Sequence, residues 1–150
     1  MPIHEPFDDP VLGRAMWDDG RNEWRFTLVL PSGHCVEGSI NPEDNDLPLT
    51  APTLAESREC VQWVRDNEIL LRQYVADRMY PLMLDWHDEA NGPPLSKDEF
   101  RENVALAGVQ VLEDHRAALL FDDAGLFGGH TITFSVGADG RLDEEPYLWG

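Results

Sequence analysis

The chain has 150 residues, with 11 Lys and Arg against 29 Asp and Glu and a formal net charge of −18 at neutral pH. A small domain tuned only for solubility carries a net charge of magnitude about 2–8, so an excess of this size opposes the compact state and needs a further explanation. It argues against direct binding to DNA, RNA or an anionic membrane, because those surfaces require a basic footprint.

The first region reads as strands. Leu12 to Trp17 runs into Asp18-Asp19-Gly20, where glycine tolerates the positive φ of a turn. From Trp24 to Leu30 the even positions are large and apolar, the period-two pattern of a half-buried strand. Pro31-Ser32-Gly33 then turns the chain into a strand from His34 to Ile40, which predicts an antiparallel three-stranded meander. Residues 41–52 hold three prolines among Asp, Asn and Glu and read as a loop.

From Thr53 to about Glu89 the period becomes helical. Val61, Val64, Leu71, Val75, Met79 and Leu82 fall on one apolar stripe. A straight helix over that stretch would span about 55 Å at 1.5 Å per residue, too long for a domain with a radius of gyration of about 15 Å. Asp66-Asn67 can cap a new start and Tyr80-Pro81 disfavours helix, so two packed helices with a bend near Pro81 are expected. Asn91-Gly92-Pro93-Pro94 closes this region, and Ser96 with Glu99 forms a capping box for a short helix to Asn103. Strand character returns in Val109–Glu113 and Ala117–Phe121, either side of a turn at Asp114-His115. Thr131–Val136 then leads through Ala138-Asp139-Gly140 to Tyr147-Leu148-Trp149.

The expected fold is a single α+β domain over residues 1–150: antiparallel strands from both ends of the chain packed against a central, interrupted helical region. The order strands–helices–strands argues against a parallel βαβ design. With 42% hydrophobic residues the chain can fill a core. Cys35 and Cys60 have neither metal-ligand spacing nor the density of a disulfide scaffold, which suits a reduced, cytoplasmic setting. Met1 to Pro6 carries no signal-peptide pattern, and no apolar run is long enough to span a membrane. Self-repulsion among so many carboxylates predicts raised folded pKa values, reversed wherever a carboxylate pairs with an arginine such as Arg72 or Arg78.

Chemistry is sparse. In Leu126-Phe127-Gly128-Gly129-His130 the paired glycines permit a close turn before a strand. His130 beside Asp122 and Asp123 has the makings of a proton-transfer group, but no nucleophile or second histidine is tied to it, and a structural turn is the expectation. Asp85-Trp86-His87-Asp88-Glu89 offers several metal-capable side chains. On a helix Asp85, Asp88 and Glu89 share a face while His87 points elsewhere, so no compact ligand set forms, and Trp86 is expected in the core. Ser32, His34 and Cys35 lack an orienting carboxylate or oxyanion donors. No glycine-rich loop precedes a helix in the way a phosphate cradle requires. The sequence therefore points to no catalytic residue, no metal and no cofactor.

The linear order itself resembles a known pattern. Trp24 and Phe26 in the opening hairpin are followed by Trp86 and then by Leu95-Ser96-Lys97-Asp98-Glu99-Phe100. Next come Leu119-Leu120-Phe121-Asp122-Asp123, the run Leu126 to Ile132 and Asp139-Gly140. This is similar to a family of uncharacterised bacterial domains with a Phe-Gly-Gly-His element, the likeness being strongest over residues 95–140. The resemblance implies a bacterial context and kinship with small toxin-immunity proteins.

These readings converge on a non-catalytic binding protein that neutralises a basic protein, such as a toxin or nucleic-acid-binding effector, possessing the charge field such a partner expects. The expected contacts are Asp85, Asp88 and Glu89 on the helix and Asp122 and Asp123 beside the glycine turn, with Trp86, Phe127, Gly128, Gly129 and His130 as the structural motif. The competing expectations are a structural or housekeeping domain whose acidity reflects its environment, high salt included, and a small hydrolase.

Overall fold

A computed structural model describes residues 4–42, 48–112, 116–123, 125–137, 142 and 144–150. The turns expected at Asp114-His115 and at Ala138-Asp139-Gly140 lie outside the described residues, as does Glu113. Eight strands form one sheet whose spatial order is the chain order: β1 (Phe7–Asp9), β2 (Gly13–Asp18), β3 (Glu23–Val29), β4 (Cys35–Ile40), β5 (Ala105–Val111), β6 (Ala117–Asp122), β7 (Thr131–Val136) and β8 (Tyr147–Trp149). Between β4 and β5 run α1 (Ala51–Asp66), α2 (Glu68–Trp86), a 3₁₀ turn (Glu89–Asn91) and α3 (Lys97–Asn103). The architecture is α+β, with strands from both ends of the chain flanking the helical region.

One strand pairing departs from the expected all-antiparallel sheet. β4 and β5 are parallel, with Glu37 opposite Gly108 and Ile40 opposite Val111, while every other neighbouring pair is antiparallel. The reason is topological. The helical stretch leaves one end of β4 and returns the chain to the far end of β5, the long crossover that parallel strands require. Segregated element order does not exclude a single parallel seam between two meanders.

The helices cover one face of the sheet, α1 and α2 both packing on β5. The alternate residues of the strands supply that face: Trp24, Phe26 and Leu28 from β3, Leu119 and Phe121 from β6, Ile132 and Phe134 from β7, all buried. Val61, Val64, Leu71, Val75 and Met79 answer them from the helices. Leu82 is only half-buried and Met83 takes the inward position. Among the described residues the opposite face of the sheet carries no helix, and Thr27, Val29 and Glu37 are exposed there.

Local chemistry sets the helix ends. Thr50 caps α1 through the Thr53 amide at 3.3 Å, so the helix begins at Ala51, two residues before the expected start, with Pro52 tolerated in its first turn. The break at Asn67 occurs where expected, but its side chain closes the old helix instead of opening the new one: Nδ2 donates to the Trp63 carbonyl at 2.8 Å. Pro81 sits inside an uninterrupted α2. It lies on the solvent side, as does Asp77, whose carbonyl goes without the helical bond that proline cannot donate. The Ser96–Glu99 capping box of α3 forms in full, with bonds of 3.2 and 3.0 Å. β5 starts at Ala105, earlier than the sequence suggested, because a bulge at Ala107 puts both Leu106 and Val109 on the core side and breaks the period of two.

Candidate functional site

The end of β6 runs into a loop built around one carboxylate. Asp123 is 5% exposed and accepts hydrogen bonds from the amides of Gly125 at 2.8 Å, Phe127 at 3.1 Å and Gly129 at 2.9 Å. The backbone turns those amides inward by adopting φ of +77° at Gly125, +67° at Gly128 and +86° at Gly129, conformations that L side chains rarely take. Asp123 is therefore a buried anchor for the loop and does not present its charge to a partner. Asp122, one residue earlier, is exposed.

The same loop fixes His130. Its Nδ1 lies 2.7 Å from the Phe127 carbonyl, which can only accept, so Nδ1 carries the proton. Its hydrogen bond closes the turn. Phe127 is fully buried and meets Phe100 and Trp86 edge-to-face, at centroid distances of 6.2 and 5.7 Å.

Trp86 corrects the expectation that it belongs to the core, being 48% exposed. It is the last residue of α2, and it lies edge-to-face on His130 at 5.8 Å. One aromatic side chain thus joins the end of α2 to the Phe127–His130 loop. The acidic residues around it do not share a helix face, because α2 stops at Trp86. Asp85 is exposed on the last turn, Asp88 caps the 3₁₀ turn by accepting from the Ala90 amide at 2.9 Å, and Glu89 begins that turn. His87 is extended and binds the Gly92 carbonyl through Nε2 at 2.7 Å.

Electrostatically, among the described residues most of the cations are held in ion pairs within the chain, several of them at the surface. Arg14 pairs with Asp8, Arg58 with Asp9, Arg72 with Glu68, Arg78 with Glu145, Lys97 with Asp77 and Arg101 with Asp98 and Glu102. Arg25 sits among Asp18, Glu23 and Glu37. Wherever a carboxyl shift is resolved, it is downward, opposite to the sign expected from self-repulsion, through hydrogen bonds and, for Asp9 and Asp77, ion pairs. Burial pushes the Asp9 carboxyl up, but the Leu12 and Val11 amides and Arg58 together outweigh it and leave the pKa below its ordinary 3.8. The bond from Lys97 lowers Asp77, and the Ser96 amide lowers Glu99. Burial raises the Cys60 thiol to about 11. Among the described residues no three His, Cys, Asp or Glu side chains gather in a way that would hold a metal ion, and no helix is long and apolar enough to cross a membrane.

Sequence reasoning missed two features. Asp123 followed by glycines at positions 125, 128 and 129 was a readable pattern, since a carboxylate needs converging amides and glycines supply them. The uncovered sheet face was readable in Tyr147-Leu148-Trp149, where two aromatics alternate with one core residue.

The molecule is thus an α+β protein with one mixed sheet, a helical crossover on one face and a tryptophan-bridged acidic corner. Residues 40–145 match the family described as an uncharacterized protein conserved in bacteria (DUF2262), and the chain belongs to that family. No curated protein and no solved structure matches it.

Proposed function

We propose that this protein is a non-catalytic binding protein that neutralises a basic protein partner, in the manner of an immunity protein or inhibitor. The observation that carries the reading is the internal pairing of the cations: with most of Arg and Lys held in ion pairs, the excess carboxylates set the outward field. Such a field steers a cationic partner and repels nucleic acid. Trp86, half-exposed beside Asp85, Asp88 and Glu89, supplies the kind of aromatic anchor around which binding energy concentrates. Asp122 extends the contact, and Phe127 and His130, beside the Gly128-Gly129 turn, pack edge-to-face on Trp86. Free thiols at exposed Cys35 and buried Cys60 suit a reduced compartment such as the cytoplasm.

The test is affinity capture from the host at low salt with elution by rising salt, followed by binding kinetics with the purified partner. The expected result is a basic protein that associates quickly at low salt and slowly at high salt. Captured proteins no more basic than the lysate average, or association indifferent to salt, would overturn the reading.

A further inference from the structure

The sheet face away from the helices holds an open groove of about 550 Å³ that crosses β3, β4, β5 and β6 to the first residue of β7. Small residues make its floor: Ser39, Ala107 and Gly108. Gly108 matters to the shape, because a Cβ there would stand 3.0 Å from Leu120 Cδ1 and make that side chain give by a few tenths of an ångström.

Three carboxylates, Glu23, Glu37 and Asp122, line the groove beside two arginines, Arg21 and Arg25, so the acids outnumber the bases there. Glu23 is 8% exposed, yet among the described residues its one ionic contact is Arg25 Nη1 at 3.5 Å. Charge-assisted bonds close to about 2.7–2.9 Å, so this buried carboxylate is loosely held, and a second cation would improve its satisfaction. Glu37 reaches Arg25 only at 3.4 Å and its side chain is 81% exposed. At one end of the groove, Trp149 pairs with the lining residue Thr131, and Tyr147 with Thr133, so both aromatics stand on the groove's face. They are 64% and 51% exposed.

We propose that this groove docks an arginine-bearing segment of the basic partner, the carboxylates receiving the guanidinium and Trp149 and Tyr147 offering their ring faces. The inference rests on the basic-partner reading and adds where the partner's cations go. Arginine fits better than lysine, because a planar fork can engage a carboxylate in two bonds and stack on an aromatic ring at once. Charge selects the occupant: a second copy would bring another −18 to the face, and a nucleic acid would be repelled.

The experiment titrates the ¹⁵N-labelled full chain with a short oligoarginine peptide, and with oligolysine of the same length, at low and physiological salt. Saturable shifts confined to the amides of Ser39, Gly108, Gln110, Leu120 and Thr131, stronger for oligoarginine, are expected. Shifts spread evenly over the acidic surface, or centred on Trp86, would overturn the proposal. Two variants with side chains altered only on the open face follow, each checked by circular dichroism. The double variant Glu37→Gln with Trp149→Ala, and the plug Ala107→Phe with every charge retained, should each weaken peptide binding about tenfold. The triple variant Asp85→Asn, Asp88→Asn, Glu89→Gln should leave the groove shifts in place, and unchanged affinity in both groove variants sinks the assignment. If the groove takes oligoarginine but host capture yields no basic protein, the neutralisation reading fails and the site stands. If a basic partner is captured and binds both groove variants as it binds the wild type, the site fails and the reading stands.

Discussion

The ring of Phe26 fills the space that a side chain on Gly38 would occupy. The two residues face each other across β3 and β4, and a Cβ at position 38 would lie 2.2 Å from Phe26 Cε2. Phe26 is 5% exposed and walled in by the core, so the ring has little room to retreat. Gly38→Ala should destabilise the fold by about 1–3 kcal/mol through overpacking, and pairing it with Phe26→Leu should recover part of the loss. Equilibrium urea unfolding of the single and double variants measures this; additive losses would show that the two positions do not compete for space.

The loop around Asp123 makes a second prediction. Asp123→Ala leaves three amides without their acceptor, and a hydrogen bond to a charged group is worth about 1.5–3 kcal/mol. Asp123→Asn, which keeps one acceptor oxygen, should lose less. Hydrogen exchange of the Gly125, Phe127 and Gly129 amides should accelerate in both variants, Trp86 fluorescence should change as Phe127 and His130 shift, and unchanged exchange would contradict the anchoring role.

Asp9 sets a pH dependence. Its folded pKa lies below 3.8, so above that value both folded and unfolded chains carry the carboxylate and its stabilisation is complete. As pH falls from the unfolded value through the folded one, the unfolded chain binds more protons and the contribution is lost. Thermal midpoints of the wild type should therefore drop faster than those of Asp9→Asn below about pH 4. Parallel curves would mean that Asp9 is not linked to folding.

The two thiols should separate by accessibility. Burial raises Cys60 to about 11, while Cys35 is exposed on β4. Only the thiolate reacts at an appreciable rate. A colourless-to-coloured disulfide reagent at mildly alkaline pH should titrate one thiol per native chain and two after unfolding. Rapid native labelling of Cys60 would show that α1 opens readily.

At the acidic corner, charge and anchor should part kinetically once a partner is in hand. Removing an exposed carboxylate, as in Asp122→Asn or Asp85→Asn, should mainly slow association. Trp86→Ala should mainly speed dissociation and cost about 2 kcal/mol or more if it is the anchor. Surface plasmon resonance at two salt concentrations resolves the two, and a Trp86→Ala variant with unaltered dissociation would remove the corner from the interface.

Local features of the fold were legible and long-range ones were not. The alternation through Trp24, Phe26 and Leu28 and the Ser96–Glu99 capping box are written within a few residues, and both appear as expected. The parallel seam between β4 and β5 joins segments on either side of all three helices, and nothing in either strand's own pattern specifies that partner. Trp86 continues the helical period of Leu82, so periodicity placed it inward; it stands instead half-exposed at the last position of α2, against Phe127 and His130. Asp123 looked like one of a pair of surface acids until its neighbours' amides were seen to turn toward it.

Because spatial order follows chain order, the sheet is two local ribbons zipped along one distant seam. Each ribbon grows by hairpins that close over short loops, whereas joining β4 to β5 must close the chain over the entire helical connection, an entropic toll that short-range contacts do not lower. Folding speed should therefore hinge on that seam, with substitutions at Gly108 or Val109 slowing refolding more than equally destabilising ones in β7. A chain nicked within the helical connection would turn that closure into an encounter between two fragments, making recovery of the native sheet depend on their concentration.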